Sequence, residues 1–329
     1  MTRFDETRFV LASFAPIAVA TRSDLGESLH FGSGVILDDC GAVESKIGDE
    51  DLVVYPRSCL KPLQADAMVA AGLDIATDQL ALACASHSGE AQHLQTVRSL
   101  LSTAGLDEHA LLNTPARPYG AAARGVLREA GVAPSSLQQN CSGKHAGMLA
   151  TCRVNGWSID DYLDIEHPVQ QAITAHIEAL AGEPITKIGV DGCGAPTHTL
   201  SLRGLANAFA ALTHPGHDQR IADAMRAHPE LVGGTGRDIT VWMRAVPGMI
   251  AKEGAAGVMA AALPNGRVVA YKIADGSDAA RQAVVPEAMR LLGVDPDVVE
   301  RTAHEAEVPV LGAGATVGRL VGLEWSGRG

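Results

Sequence analysis

The hydrophobic pattern of the chain changes period twice. Between residues 15 and 56, short apolar runs alternate with turn signals. Ile17-Ala-Val-Ala-Thr21 precedes the turn Ser23-Asp-Leu-Gly26, and the run from Leu29 to Leu37 precedes Asp38-Asp-Cys-Gly41. Val43 to Ile47 and Leu52 to Tyr55 complete the segment. Runs joined by turns this short predict antiparallel strands. From Ser58 the apolar positions Leu60, Leu63, Ala67 and Val69 fit a helix that ends at Gly72. Pro62 is tolerated only in a first helical turn, where backbone N–H groups lack partners, so it predicts a helix start near Ser58. Further helices are predicted over 78–86, from Ser88 to Gly105, and over 119–131, 143–154, 158–162, 167–182, 199–213 and 217–227. The extended pattern returns with Met249 to Lys252, Gly257 to Leu263 and Val268 to Ile273, the last two joined by the hairpin signal Asn265-Gly266. Ser277 caps a predicted helix over 278–293, which Pro286 is expected to kink or split. A short helix from Asp295 or Asp297 and a strand from Val317 to Leu323 close the chain.

Strands at both ends with helices between them predict a mixed α/β (α+β) fold. One antiparallel sheet is built from N- and C-terminal strands, with flanking helices and an inserted helical domain. The boundaries read as 1–57 and 246–329 for the sheet-containing part and 58–245 for the mainly helical insert. The two are expected to behave as one compact catalytic unit, with a site at their seam.

Composition narrows the class. With 329 residues, 47% of them hydrophobic, the chain can bury a large core, and 19% charged residues argue against disorder. A formal charge of −12 argues against a nucleic-acid partner. No apolar run reaches the ~18 residues of a membrane span. The start Met1-Thr-Arg-Phe-Asp-Glu carries acids and no apolar stretch, so a cytoplasmic location is expected. Of the six cysteines, Cys40, Cys59, Cys84 and Cys152 are expected as buried thiols rather than disulfides. Cys141 and Cys193 stand apart because small residues surround them.

Five stretches carry candidate chemistry. In Tyr55-Pro-Arg-Ser-Cys-Leu-Lys-Pro62, Ser58 and Lys61 lie three apart, on one helix face. A lysine in a site that disfavours its charge can take a serine proton, although an N-cap serine with an exposed lysine gives the same pattern. In Ala85-Ser-His-Ser-Gly-Glu90, Ser88 reads as a helix cap, His87 as a polar residue at a helix end, and Ser86 as a second hydroxyl for a site. Ala251-Lys-Glu-Gly254 places Lys252 and Gly254 at a strand edge; a Lys-x-Gly there follows Ser-x-x-Lys in penicillin-recognising enzymes. Asn140-Cys-Ser-Gly-Lys-His-Ala-Gly-Met148 and Asp191-Gly-Cys-Gly-Ala-Pro196 each hold one cysteine, which is free to be buried, bonded or metal-ligating. Cys-x-x-Lys by itself is a poor zinc pattern, because a lysine must lose its proton to ligate.

Together, and in this order, the five stretches resemble the L-asparaginase II family, the Rhizobium-type asparaginases, over nearly the whole chain. The resemblance implies the fold of serine β-lactamases and glutaminases, and hydrolysis of asparagine to aspartate and ammonia. It implies a homodimer. It also implies a zinc ion held by the residues matching Cys141, Lys144 and Cys193, and two catalytic Ser–Lys pairs, Ser58 with Lys61 and Ser86 with Lys252. Ser58 is then the nucleophile, activated by Lys61, with Ser86 relaying a proton to the leaving ammonia. Arg57 or His145 is expected to meet the substrate α-carboxylate and Asp191 its α-amine, with His87 and Gly254 also on the substrate side. One stretch departs from the family: Leu112-Asn-Thr-Pro-Ala-Arg-Pro118 stands where members often have Cys-Gly-x-His-x-Pro. Glutamine or another small amide remains open as substrate. So do a β-lactamase- or peptidase-like hydrolase and a binding protein without chemistry.

Overall fold

The computed structural model describes residues 13–325 and the backbone of 327–328; the expected start of the first sheet segment, residues 1–12, lies outside the described residues. The strands are β1 (Ala15–Arg22), β2 (Leu25–Leu37), β3 (Val43–Ile47), β4 (Val53–Val54), β5 (Ile188–Val190), β6 (Pro196–His198), β7 (Leu200–Ser201), β8 (Ile250–Gly254), β9 (Val258–Ala262), β10 (Val268–Ile273), β11 (Val308–Gly312), β12 (Ala315–Gly322) and β13 (Gly327–Arg328). The helices are α1 (Lys61–Ala70), α2 (Thr77–Ala83), α3 (Ala91–Thr103), α4 (Ala121–Glu129), α5 (Ser142–Asn155), α6 (Pro168–Ala181), α7 (Leu202–Thr213), α8 (Arg220–Ala227), α9 (Pro229–Val232), α10 (Asp238–Ala245), α11 (Asp278–Leu291) and α12 (Pro296–Glu305).

A mixed α/β fold results. The main sheet runs β11-β12-β1-β2-β10-β9-β8 and is antiparallel throughout, with β3 pairing β2 and β13. Strands from both ends of the sequence therefore meet in one sheet. The long β2 makes the join. Its first half pairs with β1 and its second half with β10, in the register Leu37 to Val268 through Gly32 to Ile273. Every residue of β8, β9 and β10 is buried, which explains why these strands read as unbroken apolar runs instead of alternating ones. Helices α7 and α11 both pack on the sheet.

Several elements differ from the sequence reading. The Ser58 region is a 3₁₀ turn, Arg57–Leu60, and the α-helix begins at Lys61 with Pro62 in its first turn. Residues 158–162 form turns instead of a helix, and Tyr162 is buried there with its hydroxyl bonded to His145 Nδ1 at 2.8 Å. Pro286 lies inside α11 without dividing it. Strand β4 falls within the expected run Leu52 to Tyr55, but its partner β7, the pair β5–β6, and helices α9 and α10 have no clear periodic signal, since elements of two to eight residues span too few turns or alternations to show one. All six cysteines are free, with Cys40 exposed and the other five buried.

Candidate active site

The turn carrying Ser58 is set by a backbone feature beside it. Arg57 has φ +54°, a left-handed conformation uncommon for a residue with a Cβ. Surrounding contacts hold it there. The Arg57 guanidinium binds Asp191 through Nε at 2.8 Å and through a second nitrogen. The turn is locked to β8 as well: the Cys59 thiol donates to the Lys252 carbonyl at 3.0 Å. Gly254 belongs to the same contact, since a Cβ there would lie 2.2 Å from the Pro56 oxygen. Only glycine lets strand and turn approach this closely.

Ser86 comes from the segment after α2. Its backbone N–H donates to Val232 O at 3.1 Å, while the next residues are held by Asn140 O and Gly233 O. Ser58 and Ser86 thus arrive from different elements and open into one cavity of about 240 Å³. Gly254, Asn140, Tyr119, Arg237, Glu253, Ala255, Ala256 and Asp278 complete its wall. Two larger hollows, of about 780 and 730 Å³, contain neither serine. The smaller cavity suits a small ligand, and it is the one beside both lysines.

The lysines stand behind this wall. Lys61 is buried, and its ammonium donates to Ala85 O at 2.6 Å, Ser86 Oγ at 3.1 Å and Asn140 O at 3.4 Å. Lys252 is wholly buried in β8 and binds the Glu253 carbonyl at 2.9 Å, with the Glu253 carboxylate at 3.0 Å. Burial holds its pKa below the usual lysine range; Glu253 opposes the shift, and the Lys61 charge adds to it. The structure therefore links the serines and lysines differently from the sequence-based pairing. Lys61 contacts Ser86, Lys252 is turned to Glu253, and the half-buried Ser58 lines the cavity.

The residues expected to bind substrate divide. Gly254 lines the cavity, whereas Arg57 and Asp191 are paired with each other. His145 is buried, and burial, reinforced by Lys144 and Lys61, holds it well below the usual imidazole range. It is therefore neutral and corrects the expectation of a cation for a carboxylate. His87 is also buried. Burial and then His93, which stacks on it at 5.2 Å, keep it neutral, and its Nε2 lies 2.8 Å from Ser142 Oγ. It supports the floor of the site and does not line the cavity.

The cysteine cluster lies next to Lys61. Cys141 and Cys193 are buried together, and Lys144 Nζ is 3.5 Å from Cys193 Sγ. A hydrogen bond from Cys193, aided by Lys61 and Lys144, holds the Cys141 thiol well below its ordinary range. Two sulfurs, one already favoured as thiolate, suit a thiophilic ion such as zinc. Against burial, Cys193, Cys141 and Asp191 hold the Lys144 ammonium above its usual range, so that it would ligate only on losing its proton to the ion's charge. The cluster reaches the cavity through Asn140, whose Oδ1 lies 3.4 Å from Cys141 Sγ. It also touches the departing stretch 112–118, through Thr114 N to Cys193 O at 3.4 Å.

Sequence reasoning overlooked Arg237, Glu253 and Tyr119 as wall residues. Glu253 sat unremarked within a named motif. Arg237 follows Gly233-Gly-Thr-Gly236, a glycine run that was the available signal. In the structure Gly234 has φ +147°, and a Cβ there would lie 2.1 Å from Ser88 Oγ.

Comparison with known proteins gives a family match and matches among solved structures. The family model described as L-asparaginase II matches residues 18–321, nearly the whole chain. No curated protein sequence matches significantly. Among solved structures the chain is similar to a β-lactamase from Mycobacterium bovis, with 14% identity and a TM-score of 0.43 over 84% of this chain and 94% of that one.

Proposed function

The chain belongs to the L-asparaginase II family, and from this premise we propose that it hydrolyses the side-chain amide of L-asparagine, using Ser58 as nucleophile. The observation that carries the proposal is the single cavity shared by Ser58 and Ser86, with Lys61 bonded to the second serine at 3.1 Å. For this step Lys61 is neutral: as the Ser58 oxygen attacks the amide carbon, its proton passes to Ser86 Oγ while the Ser86 hydroxyl proton passes to Lys61. Ser86, bridged to Lys61, hands a proton to the departing ammonia. Water then hydrolyses the acyl-enzyme, releasing aspartate. Lys252 keeps a positive field behind the cavity. Backbone N–H groups at the 3₁₀ turn receive the developing oxyanion, a contribution usually worth about 3 kcal/mol.

Zinc is part of this reading. Cys141, Cys193 and Lys144 would hold it, and when bound it would supply a fixed positive charge beside Asn140 and order the two cysteine loops. Assembly as a homodimer and a cytoplasmic location belong to the same reading.

Three experiments test it. Ser58→Ala is expected to abolish ammonia release from L-asparagine while leaving the melting temperature unchanged; full activity in the folded variant would remove Ser58 from its role. A panel of amides in the same assay decides between asparagine and glutamine. Metal analysis of the purified protein is expected to give about one zinc per chain, lost in Cys141→Ser; a value near zero in the untreated protein ends the metal assignment.

A further inference from the structure

The cavity has to hold a charged amino acid, yet the expected carboxylate partners do not face it. Arg57 is spent on Asp191, and His145 is buried against the Tyr162 hydroxyl, off the cavity wall. Lys61 has three acceptors already, and Lys252 is buried against Glu253. Among the described residues of the wall, Arg237 is the one cation. We propose that Arg237 is the specificity residue of this site, and that it receives the α-carboxylate of an amino-acid substrate.

Three contacts fix its guanidinium. One terminal nitrogen donates to the Ser86 carbonyl at 3.2 Å, and the other to Glu253 Oε1 at 2.7 Å. The Tyr119 ring covers the group, with its centroid 4.6 Å from the guanidinium carbon. An arginine has five N–H donors. The two contacts with Ser86 and Glu253 occupy two of them, which leaves three N–H groups to offer a carboxylate. The attachment to the Ser86 backbone ties the recognition group to the proton-relay serine. A carboxylate bound here is therefore held at a set distance from the reacting serines, so recognition also positions the amide. Glu253 acts as a positioning residue, because it bonds Arg237 on one oxygen and faces Lys252 with the other. The local balance favours an anion. Arg237 on the wall, with Lys61 and Lys252 behind it, stands against Glu253, while the Asp278 carboxylate on the wall is bonded to Arg281.

The inference rests on the amide-hydrolase reading for its substrate but not for its chemistry, and the two are tested separately. For the first measurement, kcat/KM is determined for L-asparagine and for 3-aminopropanamide, which is asparagine without its α-carboxylate. Arg237→Met is expected to cut the preference for asparagine about 10- to 100-fold, the range for a lost charge-assisted contact. An unchanged ratio between the two substrates overturns the proposal, because a merely structural role lowers both equally. Arg237→Lys keeps a cation for buried Glu253 and protects the fold; it is expected to recover part of the preference. The second measurement needs no turnover. L-asparagine binding is followed by calorimetry in Ser58→Ala, with and without Arg237→Lys. A parent chain that releases no ammonia, with asparagine binding to Ser58→Ala that Arg237→Lys weakens, supports this inference and removes the hydrolase reading. A parent chain that releases ammonia, with equal asparagine affinity in the two Ser58→Ala variants, does the reverse, and absence of asparagine binding overturns the inference.

Discussion

Glu253 is where the charges of the cavity balance. Burial alone pushes its carboxyl up, but Lys252, then Arg237 and Arg281, pull it down to about 2. A folded value below the usual 4.5 stabilises the native state above that usual value, and the gain is lost as pH falls toward about 2. The shift corresponds to a contribution on the order of 3 kcal/mol near neutral pH. Glu253→Gln is expected to be less stable than the parent at pH 7 by about that amount in urea unfolding. The gap between the two should narrow steadily below pH 4.5; a constant gap would mean that Glu253 is not ionised in the folded protein. Residues of this kind were only partly legible. Ser58, Lys61, Ser86 and Lys252 announce themselves by type and spacing. Arg237 reaches the cavity from a glycine run more than a hundred residues beyond Ser86, and no local spacing records that approach.

At the scale of elements, the close contacts are made by glycines. Helix α5 crosses the end of α2 at Gly143, where a Cβ would lie 2.3 Å from the Leu82 carbonyl oxygen. This crossing places Cys141 and Lys144 beside the segment that carries Ser86. Gly143→Ala is expected to cost about 1–3 kcal/mol, because a backbone oxygen cannot move aside as a side chain can. Thermal unfolding checks this, and a melting temperature equal to the parent would show that the helices separate without cost. The sequence marked Asn140 to Met148 as a stretch whose small residues admit close neighbours. Which neighbour approaches, and at which glycine, depends on the packing of two helices about sixty residues apart. The start of α1 shows the same division. Pro62 correctly restricted the helix to begin near Ser58, but the left-handed Arg57 and the 3₁₀ turn are held by Asp191 and β8, which are far away in the chain.

At the scale of the molecule, the sheet and the helical region are tied at more than one point. Strand β4 pairs with β7, and Arg203 bridges Glu50 and Asp51 at 3.1 Å each. Cys59 bonds the β8 backbone, and α7 packs on β2, β9 and β10. We therefore propose that the parts 1–57 with 246–329 and 58–245 unfold together. Scanning calorimetry is expected to show one transition whose van't Hoff and calorimetric enthalpies agree; two separated transitions would make them independent domains. The sequence by itself determined that strands occur at both ends and helices between, because apolar periodicity is a local property written into neighbouring residues. It also determined the reactive side chains, whose types are chemistry in themselves. Only the tertiary structure decided that Lys61 meets Ser86, that Lys252 turns to Glu253, that Arg57 and Asp191 satisfy each other, and that Arg237 faces the cavity. Those choices depend on which groups the folded chain brings within a few ångströms, and on burial, which makes each unpaired charge costly enough to select its partner.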